Sequence, residues 1–247
     1  HRRLVGLSGG GGAAAAQGGG GGTPVAPGVP NSWELAKFAV PTLGIWLSSP
    51  ILSLVDSAVV GRFCSASDLA ALSPGTVACD SSAYVFMFLA IATTNLYATS
   101  LAKGDKKRAS AVVSQSLFLA LVCGSLLAVT IFTASPAFLS SFTGSSSGAV
   151  LGGAVSYATI RAWGCPAVLL TMVAQAACFG EKNAVTPLQA VWLAAAVNLC
   201  GDLLLVPVLG MGLAGAAVAT VAAQYTGLAY MLVHVARRQR VLDPSGG

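Results

Sequence analysis

The sequence predicts an all-α membrane protein with six transmembrane helices, and three observations carry the prediction. Of its 247 residues, 55% are hydrophobic and only 9% are charged. A soluble domain carries about 25% charged residues, so this chain has too few charges to coat a surface that faces water. Its apolar residues gather into six runs, each as long as the roughly 20 residues a helix needs to cross a bilayer. Its basic residues concentrate between the runs, on one side. A soluble enzyme, a nucleic-acid binder and a disordered chain are excluded as overall classes. The net charge of +5 describes membrane topology, with no nucleic-acid partner implied.

The segment 1–31 precedes the first run. It opens at His1 without an initiator methionine, which implies a processed chain or a fragment. From Gly6 to Gly22 it is Gly/Ala low complexity behind Arg2 and Arg3, and the first acidic residue is Glu34. So little apolar surface cannot offset the entropy of ordering, and disorder is expected. The basic, acid-free composition fits the end of an organelle transit peptide, and it fits a plain flexible tail equally well. Pro24, Pro27 and Pro30 end this leader, and Asn31 or Ser32 can cap the first helix.

The six runs span Leu35–Val60, Ala78–Ser100, Ala111–Ala134, Val155–Phe179, Leu188–Leu209 and Leu213–Val235. At about 22 to 26 residues each, they reach on the order of 33 to 39 Å as helices, enough to cross with some tilt. Pro41 and Pro50 in the first run and Pro166 in the fourth are expected to kink their helices. Residues 32–236 form the membrane unit, and 237–247 form a basic tail.

The bases orient the runs. Arg2, Arg3, Lys37, Lys103, Lys106, Lys107, Arg108, Lys182, Arg237, Arg238 and Arg240 fall on the side of the N-terminus; Arg62 and Arg161 fall opposite. The positive-inside rule places both termini in the cytosol or its organellar equivalent, and an even number of spans agrees.

Three acids lie inside the runs: Asp56, Asp80 and Asp202. A charge at the bilayer centre costs at least ~2.5 to 3.5 kcal/mol, so such residues normally face a cavity or bind something. Asp202 is mid-run, with Asn198 four residues earlier on the same helical face. The amide can donate to a carboxylate or accept from its protonated form, so the pair can take up a proton or small cation and release it. A hydrogen-bond staple between helices is the bland alternative. Asp56 is either a second such group or an interfacial carboxylate within reach of Arg62. Asp80, near the edge of its run, reads as interfacial.

Gly212, Gly215, Ala216 and Thr220 place small side chains at close intervals, as a packing face between the fifth and sixth helices requires. Cys64, Cys79, Cys123, Cys165, Cys178 and Cys200 form no C-x-x-C pair and read as small packing residues. With His1 and His234 the only imidazoles, no metal cluster assembles from sequence neighbours. Lys103–Arg108 is a solvated inside loop. No phosphate-binding loop is present.

These residues carry a family resemblance over Ser32 to Val235. The stretches Glu34-Leu35-Ala36-Lys37-Phe38-Ala39-Val40-Pro41, Val55-Asp56 with Gly61-Arg62, Leu69-Ala70-Ala71-Leu72, Asn198-x-x-x-Asp202, and Gly212-x-x-Gly215-Ala216-Ala217-x-Ala219-Thr220 with Gln224 resemble the N-terminal half of a multidrug and toxic compound extrusion (MATE) carrier. Pro74-Gly75-Thr76-Val77-x-Cys79-Asp80, Tyr84-x-Phe86-Met87-Phe88-Leu89, Ala98–Lys103 and Asp105-Lys106-Lys107 are similar to the plant plastid-type, detoxification-class branch.

The resemblance implies one six-helix lobe of a twelve-helix antiporter in which proton or sodium entry drives export of a small organic solute, with no other cofactor. It implies that Asp56 and Asp202, with Asn198 as neighbour, form the cation site. Asp80 and Arg62 are read from their own positions in the sequence as residues behind that site or at the interface. Phenolic or carboxylic metabolites and xenobiotics are the implied solutes, and a plastid envelope or another plant or algal membrane the implied location. Two departures stand out. Leu203 replaces the proline that follows the aspartate in many bacterial members, which bears on branch and ion choice. The chain also stops after six spans, which implies a missing C-terminal lobe or a second copy as partner. The alternatives are a truncated half-carrier without transport of its own and, more remotely, an intramembrane serine hydrolase. The hydrolase would have to pair Ser145–Ser147 with His234. A channel is disfavoured, since no pair of spans shows a filter-like break.

Overall fold

The computed structural model describes residues 32–143 and 148–242. The leader 1–31, the stretch 144–147 with its three serines, and the tail beyond 242 lie outside the described residues. Eight α-helices follow one another: α1 (Ser32–Phe63), α2 (Ala66–Tyr84), α3 (Met87–Ala102), α4 (Lys106–Thr143), α5 (Gly148–Ala162), α6 (Cys165–Gly180), α7 (Val185–Leu203) and α8 (Gly212–Leu242). A π-helical turn, Leu204–Val208, extends α7. Five stretches are long and apolar enough to cross a membrane, and α5 with α6, bent by 52° at their junction, makes a sixth. The chain is a helical membrane protein with the six spans that composition predicts.

Local chemistry explains the element ends, and it corrects three boundaries. The second span begins at Ala66, twelve residues before the predicted start. Ser65 and Asp68 close a capping box there: the Asp68 amide donates to Ser65 Oγ (3.1 Å) and the Ser65 amide to Asp68 Oδ2 (3.2 Å). Hydropathy alone passes over this turn because it is built of small and polar residues. Asp80 consequently sits well inside the span and not near its edge. The break in the fourth span falls at Trp163-Gly164, with Pro166 in the first turn of α6, where its missing N–H costs least. Pro41 and Pro50, by contrast, lie within an uninterrupted α1. At the other end of the chain, α8 runs on to Leu242, so Arg237, Arg238 and Arg240 belong to a helix and not to a tail.

The core is built from small residues. α7 packs along α8, α4 along α6, and α2 along α5. Ala71, Ala154, Ala158, Leu169, Val173 and Ala217 are buried in one cluster, and Ala109, Val113, Ala174 and Met231 in a second. In lipid no hydrophobic force drives helices together, so close van der Waals approach does it. At Gly124 a Cβ would come within 2.6 Å of the Pro166 Cα; only glycine lets α4 lie so close to the start of α6. Serine and threonine hydroxyls satisfy themselves on carbonyls four residues back, as Thr93 does on Leu89 (2.6 Å) and Thr159 on Val155 (2.7 Å).

α1 is the exception to this packing. It lies mainly against α7, and none of its most apolar 18-residue window is buried. Leu43, Trp46, Leu47 and Leu54 point outward, a surface that suits lipid or a further helical unit and not water.

Candidate functional site

Two polar clusters face one cavity of about 400 Å³ whose wall is formed by α1, α2, α5, α6, α7 and α8. The first cluster joins α1 to α7. Asn198 and Asp202 are one turn apart on α7, and Asp56 reaches them from α1. The Asn198 amide nitrogen donates to Asp56 Oδ1 (2.6 Å) and to Asp202 Oδ2 (3.1 Å). Asn198 is 3% exposed and Asp202 is fully buried. Asn198 Oδ1 and Asp202 Oδ1 have no hydrogen-bond partner among the described residues. Asp56 and Asn198 line the cavity, and Asp202 lies just behind them.

Asp202 is buried where α7 packs closely on α8: a Cβ on Gly201, its neighbour, would fall 2.8 Å from the Ala219 Cβ. The π-helical turn begins two residues later and contains Pro207, whose absent N–H an α-helix would leave as a gap in its ladder. Gly215 accommodates that turn: a Cβ there would meet the Leu205 carbonyl at 3.0 Å. Two carboxylates that share one amide donor in a bilayer repel one another, and a proton or a monovalent cation relieves the repulsion. The oxygens present suit that task. No group of three or more His, Cys, Asp or Glu that could hold a metal occurs among the described residues.

The second cluster joins α2 to α5. Arg161 Nη2 lies 2.8 Å from Asp80 Oδ1, and Nη1 donates to the Tyr157 hydroxyl (3.2 Å). Thr76 Oγ1 is 3.4 Å from the same hydroxyl. Arg161 is 7% exposed, whereas the Asp80 side chain is 50% exposed.

The expectations divide accordingly. Asp56, Asn198 and Asp202 are brought together by the Asn198 hydrogen bonds. Asp80 lines the cavity and pairs with the guanidinium of Arg161. Arg161 itself, by sequence only an outside base, is a buried member of the site. Its signal in the sequence is a charge inside the fourth apolar run. Arg62 joins neither cluster among the described residues: it is exposed, 5.8 Å over the Phe63 ring, so the pairing of Asp56 with Arg62 is not seen. In the small-residue stripe, Gly215 and Ala216 are buried against neighbours. Gly212 instead supplies a positive φ of 57° at the start of α8. Thr220 lines the cavity while its hydroxyl donates to the Ala216 carbonyl (2.9 Å). All six cysteines are free, and Cys79, Cys165 and Cys178 are buried.

Away from the cavity, at the other end of α7, Glu181 accepts from the Tyr97 hydroxyl and pairs with Arg238 Nε (2.9 Å). His234 lies beside them.

The family model MatE matches residues 41–204, a stretch that contains both clusters. Protein DETOXIFICATION 47, chloroplastic, of Arabidopsis thaliana is 44% identical over 200 residues, covering 81% of this chain and 36% of that protein. DNA damage-inducible protein F of Escherichia coli (strain K12) is 30% identical over 214 residues, 87% of this chain and 46% of that one. A MOP superfamily transporter from Pyrococcus furiosus shares the fold at a TM-score of 0.74 and 21% identity, over 83% of this chain and 45% of its own. The chain thus spans less than half the length of each of these relatives.

Proposed function

The chain belongs to the MatE family, and on that premise we propose that it is one lobe of a secondary antiporter that exports small organic solutes, phenolic or carboxylic metabolites or xenobiotics, in exchange for protons or sodium. Family members are transporters, which removes the hydrolase reading. The observation that carries the proposal is the Asp56–Asn198–Asp202 cluster: two carboxylates bridged by one amide at a cavity that opens between helices, with Asn198 and Asp202 buried. Cation occupancy changes the charge of the cavity wall, and a solute bound there responds to that charge. Coupling follows if the cation binds one conformation of the lobe more tightly than the other. The chloroplastic relative supports a plastid envelope as the membrane. The shared half-length coverage supports a second lobe, or a second copy, as the structural partner; six spans bring the next lobe in with the same orientation.

The test is export of a labelled organic solute from proteoliposomes under an imposed pH or sodium gradient. Asp202→Asn keeps the shape of the side chain and removes the titrating charge, so the variant inserts normally and its gradient-driven export falls to that of empty liposomes. Undiminished export by Asp202→Asn overturns the assignment. The half-length coverage also favours a second reading, a half-carrier that binds the coupling cation but moves nothing alone. It is recognised by proton or sodium uptake at Asp202 without export by the wild-type chain.

A further inference from the structure

We propose that Arg161 and Asp80 form an exchangeable charge site, in which the carboxylate of an anionic organic solute replaces Asp80 on the guanidinium. The proposal rests on the transporter reading above and names the group that would hold the solute.

Three observations support it. First, a cation 7% exposed in a membrane span is costly, and such residues mark functional sites more often than structural ones. Second, the pair is lopsided. Arg161 uses Nη2 for one oxygen of Asp80 and Nη1 for Tyr157, while its buried Nε has no partner among the described residues. A guanidinium fork is fully used by a carboxylate that takes two parallel N–H groups; Asp80 takes one. Asp80 itself stands half exposed to the cavity, so it can turn away without crossing a packed wall. Third, the surroundings match an amphiphilic anion. Thr76 and Tyr84, one turn to either side of Asp80, line the same cavity, with Val168 and Met172 of α6 presenting apolar walls to a ring or chain.

Charge stoichiometry selects the ligand. A monocarboxylate replaces Asp80 on the guanidinium one charge for one, and the displaced Asp80 carboxylate keeps its charge on the open, half-exposed side of the cavity; a dianionic phosphate would add a second uncompensated charge to a low-dielectric wall. An organic cation would need Asp80 released from Arg161 and would leave the buried guanidinium unpaired. Tyr157 acts as a positioning residue. It holds Nη1 from beneath (3.2 Å) and abuts Gly75, where a Cβ would come within 2.7 Å of the tyrosine ring. Whichever carboxylate occupies the outer face, the guanidinium stays in place.

The test is equilibrium binding of radiolabelled benzoate to the purified chain in lipid nanodiscs, with tetraphenylphosphonium as the cationic competitor. Asp80→Asn removes the resident anion and is expected to tighten benzoate binding about tenfold. Arg161→Lys keeps the charge but loses the fork and is expected to weaken it about tenfold. Arg161→Gln is expected to abolish it. Should Arg161→Gln fail to fold with Asp80 left unpaired, the Arg161→Gln/Asp80→Asn double variant carries no unpaired charge and is expected to bind no benzoate. Benzoate binding by the double variant at wild-type strength, weaker binding by Asp80→Asn, or saturation by tetraphenylphosphonium that benzoate cannot displace would each overturn the proposal. Proton uptake, measured as the difference between wild type and Asp202→Asn, reports on the cation cluster separately. Absent benzoate binding with that difference intact overturns the solute site alone.

Discussion

Gly201→Ala adds a single methyl group at the point where α7 meets α8, and the structure states what it meets: the Ala219 Cβ at 2.8 Å and the Ala219 Cα at 3.2 Å. Carbon atoms in contact settle at about 3.5 to 4.0 Å, so the two helices must part locally by roughly 1 Å. Two effects then oppose one another. Alanine is about 1 kcal/mol better than glycine in a helix interior, and overpacking a tight interface costs about 1 to 3 kcal/mol. The single variant therefore falls between neutral and about 2 kcal/mol destabilised, which by itself decides little. A double-mutant cycle with Ala219→Gly isolates the contact, because the propensity changes cancel and the double variant only moves the methyl group from one helix to the other. A coupling energy of about 1 to 3 kcal/mol is expected. The assay is reversible unfolding of the purified chain in mixed detergent micelles. Coupling below about 0.5 kcal/mol, the level of independent sites, would refute the claim that α7 and α8 are in tight contact at this point.

Other expectations follow from the same geometry. Gly124→Ala meets only backbone of Cys165 and Pro166, at 2.6 to 3.1 Å, with no side chain able to yield. It is expected to destabilise by more than Gly201→Ala in the same unfolding assay, and no partner substitution rescues it. Cys64, between α1 and α2, has its thiol held above the ordinary value, first by burial and then by the negative charge of Asp68. Its thiolate therefore forms at higher pH than a free thiol's. In a variant with the other cysteines replaced, maleimide labelling rises late on a pH titration, and Asp68→Asn, which keeps a capping oxygen, moves the rise to lower pH. An unchanged profile refutes the role of Asp68. Labelled from each side of the bilayer, Cys64 and a cysteine placed at Lys106 are expected to react from opposite faces; reaction from one face refutes the orientation drawn from the basic residues.

Much of the architecture is legible in the sequence because lipid imposes simple rules. Span number and helical class follow from apolar runs that have no other stable use. The contact between Asn198 and Asp202 is legible for a related reason: the two lie on one helix at a fixed spacing, and a carboxylate in such a run needs a partner. What sequence spacing does not give is contact between helices. Asp80 and Arg161 are 81 residues apart, and nothing local pairs them. Hydropathy misplaces the start of α2 because it averages over a capping box, although Ser65-x-x-Asp68 is visible as a pattern. The breaks at Val85-Phe86 and the π-helical turn at Leu204–Val208 carry little local signal beyond Pro207. The small-residue stripe marks Gly212 for its size, when its backbone angle is what the chain uses.

Among the helices that line the cavity, two pairs each hold one polar cluster. Asp56 and Asn198 belong to α1 and α7, which pack together, while Asp80 and Arg161 belong to α2 and α5, which also pack together. Each polar contact therefore stays on one side of the cleft: Asn198 bridges Asp56 and Asp202 in one pair, and Arg161 meets Asp80 in the other. If the pairs slide past one another, each polar contact travels with its own half, and no buried charge is stripped on the way. Such a motion would leave both polar contacts whole, and it would work against the packing that joins the pairs: α1 on α2 directly, and α8 on both α7 and α5.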